Sequence, residues 1–321
     1  MNTKPLLSLL ADGQVHSGES LADTLGISRT AIWKQVKKLQ EGGVQVSTIR
    51  GRGYQLGKPM DLLSDEGILS ALNKASGEYV SLRVYDSIDS TNNDISRRWQ
   101  DDETGILVSI ADAQEQGRGR RGRPWQSPVG QNLYMSLGLN VTRSFTELDG
   151  LSLVAGVALQ RALEGEGLEG GLLKWPNDIL VGGRKLAGIL IELQGELEGS
   201  VRVIIGIGIN VHMAEAPSVD QPWTSLQLAN PGVSWKRNRI AASVIGQLIP
   251  AVRKFQAEGF GPFRESWNRS DTFAGRQLTA TSGELSGEGC GVDTHGNYVL
   301  KTADGRFEKV HAGEISLRVS S

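Results

Sequence analysis

Five short stretches hold the residues best equipped for chemistry. The first is Gly117-Arg-Gly-Arg-Arg-Gly122-Arg-Pro-Trp125, with four arginines in six positions. Glycines between guanidinium groups make a pliable loop that can bring cations and backbone N–H groups around anions. Gly117, Gly119 and Gly122 match the spacing of a dinucleotide fingerprint. That motif must follow a strand and open a helix. Here Pro124 and another strand pattern follow instead, which excludes it. Taken alone, the stretch also reads as an exposed basic loop that holds nucleic acid without sequence preference.

The second stretch is Lys174-Trp-Pro-Asn-Asp178. Pro176 and Asn177 force a turn after a strand and can present Lys174 and Asp178 together. A cation beside a carboxylate suits phosphate chemistry, with Asp178 on Mg²⁺ or near an amine nucleophile. A surface turn closed by an ion pair is the alternative. The third, Arg184-Lys-Leu-Ala-Gly-Ile-Leu-Ile-Glu192, puts Lys185 at the rim of an apolar strand. In Gly206-Ile-Gly-Ile-Asn210 the glycines allow close approach of a ligand, or merely tight sheet packing. In Asp86-Ser-Ile-Asp-Ser-Thr-Asn92, Ser90 can cap a helix, or Ser90, Thr91 and Asn92 can grip a small polar ring.

The elements that must position these groups follow from periodicity. Strands are expected at Ser81–Tyr85, Gly105–Ala111, Asn132–Asn140, Leu186–Leu193 and Val201–Val211, and helices at Thr91–Trp99, Leu148–Leu163 and Arg239–Ala257. Several strands join without an intervening helix, so a mixed sheet with helices on one side is expected, not a doubly wound fold. A short helix near Leu62–Leu72 precedes it. Beyond Phe273, strands at Gln277–Thr281, Gly289–Val292, Tyr298–Lys301 and Arg306–Val310 alternate with Gly-Asn-Asp turns, as in a small SH3-like β-barrel.

The first 57 residues read as three helices and a hairpin. Leu6, Leu7, Leu9 and Leu10 form one face; Leu21 and Leu25 form another, with Gly26 as C-terminal cap. Ser28 caps a third helix whose buried stripe is Ala31, Ile32, Val36 and Leu39, leaving Arg29, Lys34, Gln35, Lys37 and Lys38 outside. Val44–Ile49, the basic turn Arg50-Gly-Arg-Gly53 and Tyr54–Leu56 complete a winged helix-turn-helix. Ser28, Arg29, Thr30, Trp33, Lys34, Lys37, Arg50 and Arg52 are its candidate DNA contacts. A three-helix interaction domain with a solvated basic helix is the alternative.

Composition agrees. The 321 residues carry a net charge of −2. Residues 1–60 hold eight Lys/Arg against four Asp/Glu, and the rest is acidic. A small basic segment on an acidic body suits a nucleic-acid contact at one end. A single cysteine, Cys290, excludes an internal disulfide framework. No secretory or membrane-spanning apolar run is present, so a cytoplasmic protein without membrane contact is expected.

Together the stretches resemble the biotin protein ligases: Asp89-Ser-Thr-Asn92, Gln114 with Gly117-Arg-Gly-Arg-Arg-Gly122, Lys174-Trp-Pro-Asn-Asp178, Arg184-Lys-Leu-Ala-Gly188 and Gly206-Ile-Gly-Ile-Asn210, in this order. The N-terminal helix-turn-helix makes the chain similar to the bifunctional subgroup, whose members also repress the biotin operon. The resemblance implies an α+β chain of three units: 1–60 binding DNA, 61–271 binding biotin and ATP, and a barrel at 272–321. It implies activation of biotin by ATP and Mg²⁺ to biotinyl-5′-AMP, then transfer to a lysine of the biotin carboxyl carrier domain of acetyl-CoA carboxylase. Biotinyl-AMP would be the corepressor, favouring a homodimer that reaches two half-sites of operator DNA.

By the same resemblance, Ser90, Thr91, Asn92 and Gln114 hold biotin's head, with Arg118, Gly119, Arg120 and Lys185 around it. Arg118, Arg120, Arg121, Asn177, Gly206, Gly208, Asn210 and Trp223 serve the adenylate. Lys185, Arg118, Arg120, Lys174 and Asp178 are the candidate catalytic set, Asp178 also the Mg²⁺ ligand. A biotin-sensing repressor without ligase activity and a lipoate-type ligase are the competing functions.

Overall fold

The computed structural model describes residues 3–72, 80–195, 201–281, 285–312 and 317–319. Its first unit packs α1 (Lys4–Leu10), α2 (Gly18–Leu25) and α3 (Arg29–Glu41) against the hairpin β1 (Val46–Ile49) and β2 (Gly53–Leu56). The helix ends are written locally. Ser17 Oγ accepts from Ser20 N, Gly26 closes α2 at φ 64°, and Ser28 Oγ accepts from Ala31 N. Leu6, Leu10, Leu21, Ile32, Val36, Leu39 and Leu56 fill the core. Gln35, expected outside, is buried. It lies three residues after Ile32 and so shares that stripe. Ala31, expected inside, is half-buried. The hairpin is tied to the α1–α2 connection by reciprocal bonds between His16 and Tyr54, 2.9 Å each. Gly53 is required there: a Cβ would lie 1.9 Å from the His16 carbonyl oxygen, and its φ is 133°.

After α4 (Asp65–Leu72) come β3 (Val80–Tyr85), α5 (Thr91–Gln100), β4 (Ile106–Ala111), β5 (Leu133–Val141), α6 (Leu151–Gly165), β6 (Gly171–Lys174), β7 (Asp178–Val181), β8 (Arg184–Gln194) and β9 (Val201–Ile209). Three helices follow: α7 (Leu226–Ala229), α8 (Arg237–Glu258) and α9 (Gly261–Arg269). The strands form one mixed sheet in the order β3-β4-β5-β9-β8-β7-β6, parallel only between β3 and β4. Side chains alternate across it. Met135, Leu137, Leu139, Val203, Ile205, Ile207 and Ile209 join the main core with α6 and α8. Leu107 and Ile204 pack against Ile95 and Trp99 of α5. Helices therefore cover both faces, which corrects the one-sided arrangement expected: β4 is buried throughout, so both of its faces need cover.

Strands β10 (Gln277–Ala280), β11 (Ser286–Val292), β12 (Tyr298–Lys301), β13 (Phe307–Val310) and β14 (Leu317–Val319) form an antiparallel sheet, order β13-β12-β11-β10-β14. Among the described residues no ladder joins β13 to β14 into a closed barrel. Tyr298 docks this sheet, donating to Asp271 Oδ2 at 2.6 Å amid Trp175, Trp267 and Phe273. The buried Arg237 ties residue 61 to the central unit: it bonds Asp112 Oδ1 at 2.7 Å, Asn132 O at 3.0 Å and the Asp61 carbonyl. A buried guanidinium requires such complete pairing. No helix among the described residues is long and apolar enough to cross a membrane.

Candidate active site

Even-numbered residues of β9 face away from the main core, and two of them are glycine. A Cβ at Gly206 would stand 2.4 Å from Asn92 Oδ1, and one at Gly208 2.5 Å from the Trp125 ring. Their missing side chains give the sheet a concave floor. Above it lies a cleft of about 1190 Å³. Ser90, Thr91, Asn92, Gln114, Arg118, Gly119, Arg120, Arg121, Lys174, Asn177, Asp178, Lys185, Gly206, Gly208, Asn210 and Trp223 all line it. Five stretches far apart in sequence thus meet at one place.

At one end the first turn of α5 carries Ser90, Thr91 and Asn92, all buried. Gln114 Oε1 accepts from Thr91 N at 2.9 Å and from Thr91 Oγ1 at 3.2 Å. Ser136 Oγ lies 2.7 Å from Thr91 Oγ1 and donates to Asn92 Oδ1 at 2.5 Å. Hydroxyls and amides held this firmly suit a small neutral ligand with donors and acceptors of its own.

Charge gathers at the other end. Lys185 Nζ lies 2.8 Å from Asp178 Oδ1, both largely buried, and 5.3 Å from the centre of the Trp125 ring. A bulge aims this lysine. The β7–β8 register skips from Ala187 opposite Ile179 to Lys185 opposite Leu180, leaving Leu186 extra. Strand parity therefore reverses: Leu186 and Ala187 are both buried, while Lys185 and Gly188 share the cleft face. The turn between β6 and β7 does bring Lys174 opposite Asp178. Lys174 Nζ also sits 5.9 Å from the centre of the Phe273 ring, beside the C-terminal sheet.

The arginine-glycine stretch is a tight hairpin. Gly119 N donates to Arg123 O and Trp125 N to Gly117 O, 2.8 Å each. Its arginines differ in employment. Arg118 is engaged by Glu192 and Asn93 on the polar side of the cleft. Arg120 reaches Asn177 Oδ1 at 3.4 Å and the Ala312 carbonyl of the C-terminal unit. Burial and the neighbouring Arg121 charge lower its pKa. The segment carrying Trp223 runs beside Lys185, with Lys185 N donating to Pro222 O and Thr224 N to Lys185 O. Asn210 Nδ2 holds Thr224 O at 2.9 Å.

Sequence reasoning missed Ser136 and the part played by Glu192, Trp125, Phe273 and Arg276, which also border or support the cleft. Ser136 has no local signal: it is one small residue in an apolar strand, and its partners lie 44 and 45 positions away. The candidate DNA contacts Ser28, Arg29, Thr30, Trp33, Lys34, Lys37, Arg50 and Arg52 are all exposed, on the start and outer face of α3 and the wing turn. Trp33 is 51% exposed, unusual for so large an apolar ring.

The Biotin/lipoate A/B protein ligase family profile matches residues 84–210, and an HTH domain profile matches residues 4–55. The chain is 40% identical to the bifunctional ligase/repressor BirA of Escherichia coli, covering 99% of this chain and 98% of that protein. It is 32% identical to the protein of the same name from Bacillus subtilis, covering 98% of each. The biotin protein ligase from Aquifex aeolicus, solved in complex with biotin and ATP, superposes with a TM-score of 0.63 at 30% identity, covering 75% of this chain and 99% of that one. Near full-length likeness to these relatives, with an HTH profile followed along the chain by the ligase profile, places the chain in the family of bifunctional biotin protein ligase/repressors.

Proposed function

We propose that this chain activates biotin with ATP, transfers it to a lysine of a biotin carboxyl carrier domain, and represses transcription through its winged helix. The observation that carries the reading is the single cleft in which a hydrogen-bonding end, formed by Thr91, Asn92 and Gln114, faces a cationic end formed by Lys185 and Arg120. Biotin matches it, with a neutral ureido ring at one end and a carboxylate at the other.

In the first step a biotin carboxylate oxygen bonds the α-phosphorus of ATP, and the bond to the β-phosphate oxygen breaks to release pyrophosphate. Two anions must meet, so fixed cations lower the barrier most. Lys185 turns from Asp178 to the joining oxygens; Arg120 and Arg121 cover the phosphates and keep water from the anhydride. Gly206, Gly208, Asn210 and Trp223 accommodate the nucleotide. In the second step the carrier lysine's neutral amine attacks the biotinyl carbonyl and AMP leaves. Asp178 and Lys174 lie where that amine arrives, and Asp178 can take its proton.

Mg²⁺ would neutralise the ATP phosphates. Of the two aspartates that line the cleft among the described residues, Asp178 and Asp220, Asp178 is the one paired with Lys185. One carboxylate suits an ion held chiefly by nucleotide phosphates and water. We assign 1–60, 61–271 and 272–321 to DNA binding, catalysis and support of the phosphate side. Ordering of the hairpin by biotinyl-AMP would favour a dimer that presents two α3 helices to operator half-sites.

Incubation with biotin, Mg²⁺ and α-labelled ATP should yield labelled biotinyl-AMP, and then a biotinylated carrier domain. Absence of both, or adenylation of lipoate in preference to biotin, would refute the reading. A mobility-shift assay should show operator binding strengthened by biotinyl-AMP.

A further inference from the structure

We propose that Glu192 is a positioning residue that latches the arginine-glycine hairpin to the biotin-holding end of the cleft. The inference rests on the ligase reading above and deepens it.

Glu192 lies near the end of β8, opposite Ile204, on the face turned to α5. Its carboxylate serves two elements at once. Oε1 accepts from Arg118 Nε at 3.1 Å and Nη2 at 3.0 Å; Oε2 accepts from Arg118 Nη2 at 3.1 Å and from Asn92 Nδ2 at 3.0 Å. Arg118 Nη2 also reaches Asn93 Oδ1 at 2.8 Å. Arg118 is bridged through its backbone to Pro124 on the returning arm of the hairpin. Fixing its guanidinium therefore fixes both arms at their root.

The second contact sets an orientation. With Asn92 Nδ2 on Glu192, its Oδ1 is left to accept from Ser136, directly above Gly206. Reversal of that amide would set its donors against the Ser136 proton and its oxygen against the carboxylate. One carboxylate thus couples the hairpin to the amide that borders the floor. The charges agree. Arg118 is held by Glu192 through both its Nε and Nη2 atoms, so its task here is anchorage of the hairpin.

A glutamine at 192 keeps the shape but offers one acceptor oxygen where Arg118 and Asn92 present three donor atoms. For Glu192→Gln in the full-length protein, three results are expected. Biotinyl-AMP dissociates roughly tenfold faster, the scale of one lost charge-assisted hydrogen bond. The KM for biotin rises by a similar factor while kcat for adenylation at saturating biotin changes less than threefold. Trypsin nicks the chain within 118–123 roughly tenfold faster without faster cleavage elsewhere. Arg118→Ala should reproduce the faster tryptic nicking and the faster biotinyl-AMP dissociation, and in both measurements the double variant should be no worse than Arg118→Ala alone.

Effects of the two substitutions that multiply, or nicking in Glu192→Gln as slow as in the parent, would overturn the latch. The trypsin measurement needs no substrate. If the parent protein made no biotinyl-AMP, the ligase reading would fall while the latch was still decided by proteolysis.

Discussion

Consecutive residues of β9 serve opposite purposes. Ile205, Ile207 and Ile209 point into the main core, where their volume is what stabilises the sheet. Gly206 and Gly208 point the other way, where absence of volume admits Asn92 and Trp125 to the floor of the cleft. The same division runs along β5, whose Met135 and Leu137 fill the core while Ser136 between them holds Thr91 and Asn92. One face of the sheet is built for stability and the other for recognition, so damage to each should have a different signature.

The largest effect should come from the charged end of the cleft. Lys185→Ala should cut kcat/KM for adenylation on the order of a thousandfold, about 4 kcal/mol, because the cation acts where charge develops. Pyrophosphate exchange measures it. A loss below tenfold would assign the charge to other groups in the cleft.

On the opposite face, Ile209→Ala should lower the stability of the central unit by about 3 kcal/mol in urea denaturation, since Ile209 is fully buried and leaves a cavity. The KM for biotin of the folded protein should not move. The neighbouring Gly208→Ala should do the reverse: its Cβ meets the Trp125 ring at 2.5 Å, so ligand affinity should fall about tenfold with little change in stability. If both variants weakened ligand binding alike, the two faces would not be separable.

This division also explains what could be read in advance. Apolar periodicity reveals the stabilising face, because each strand carries its own repeat. The winged helix was legible for a related reason: Gly26 and Ser28 cap helices through neighbours three or four residues away. The recognition face has no such period. Its charged stretches were visible as unusual composition, yet only family resemblance linked them to biotin. Glu192 and Ser136 were hidden because their partners lie 44 to 100 residues distant. The bulge at Leu186 that turns Lys185 to the cleft is a property of strand pairing, not of either strand alone. Helix α9, short and opened by Pro262, and the four-residue strands β6 and β7 were too brief for periodicity to mark.

The smallest effect concerns the far end of α5, where the polar face turns back to stability. Arg98 is almost wholly buried and grips Glu103 at 2.7 Å and 2.9 Å; Ser81 and Arg83 add donors at 2.5 Å and 2.8 Å. The Arg98 guanidinium, above all, holds the Glu103 carboxyl at about 2, against an ordinary value of 4.5. A carboxyl lowered on folding stabilises the protein in full above its unfolded pKa and loses that contribution as pH falls toward the folded one. Glu103→Gln should therefore cost about 1 kcal/mol at neutral pH, a modest figure because the carboxylate is partly exposed. The gap between variant and parent should close as pH falls from about 4.5 to about 2, followed by urea denaturation at each pH. Biotin affinity should stay level throughout, since Thr91 and Asn92 occupy the opposite end of the helix. A gap independent of pH would mean that Glu103 stabilises α5 by packing; a parallel loss of biotin affinity would mean that the helix transmits strain from its ionic end to its ligand end.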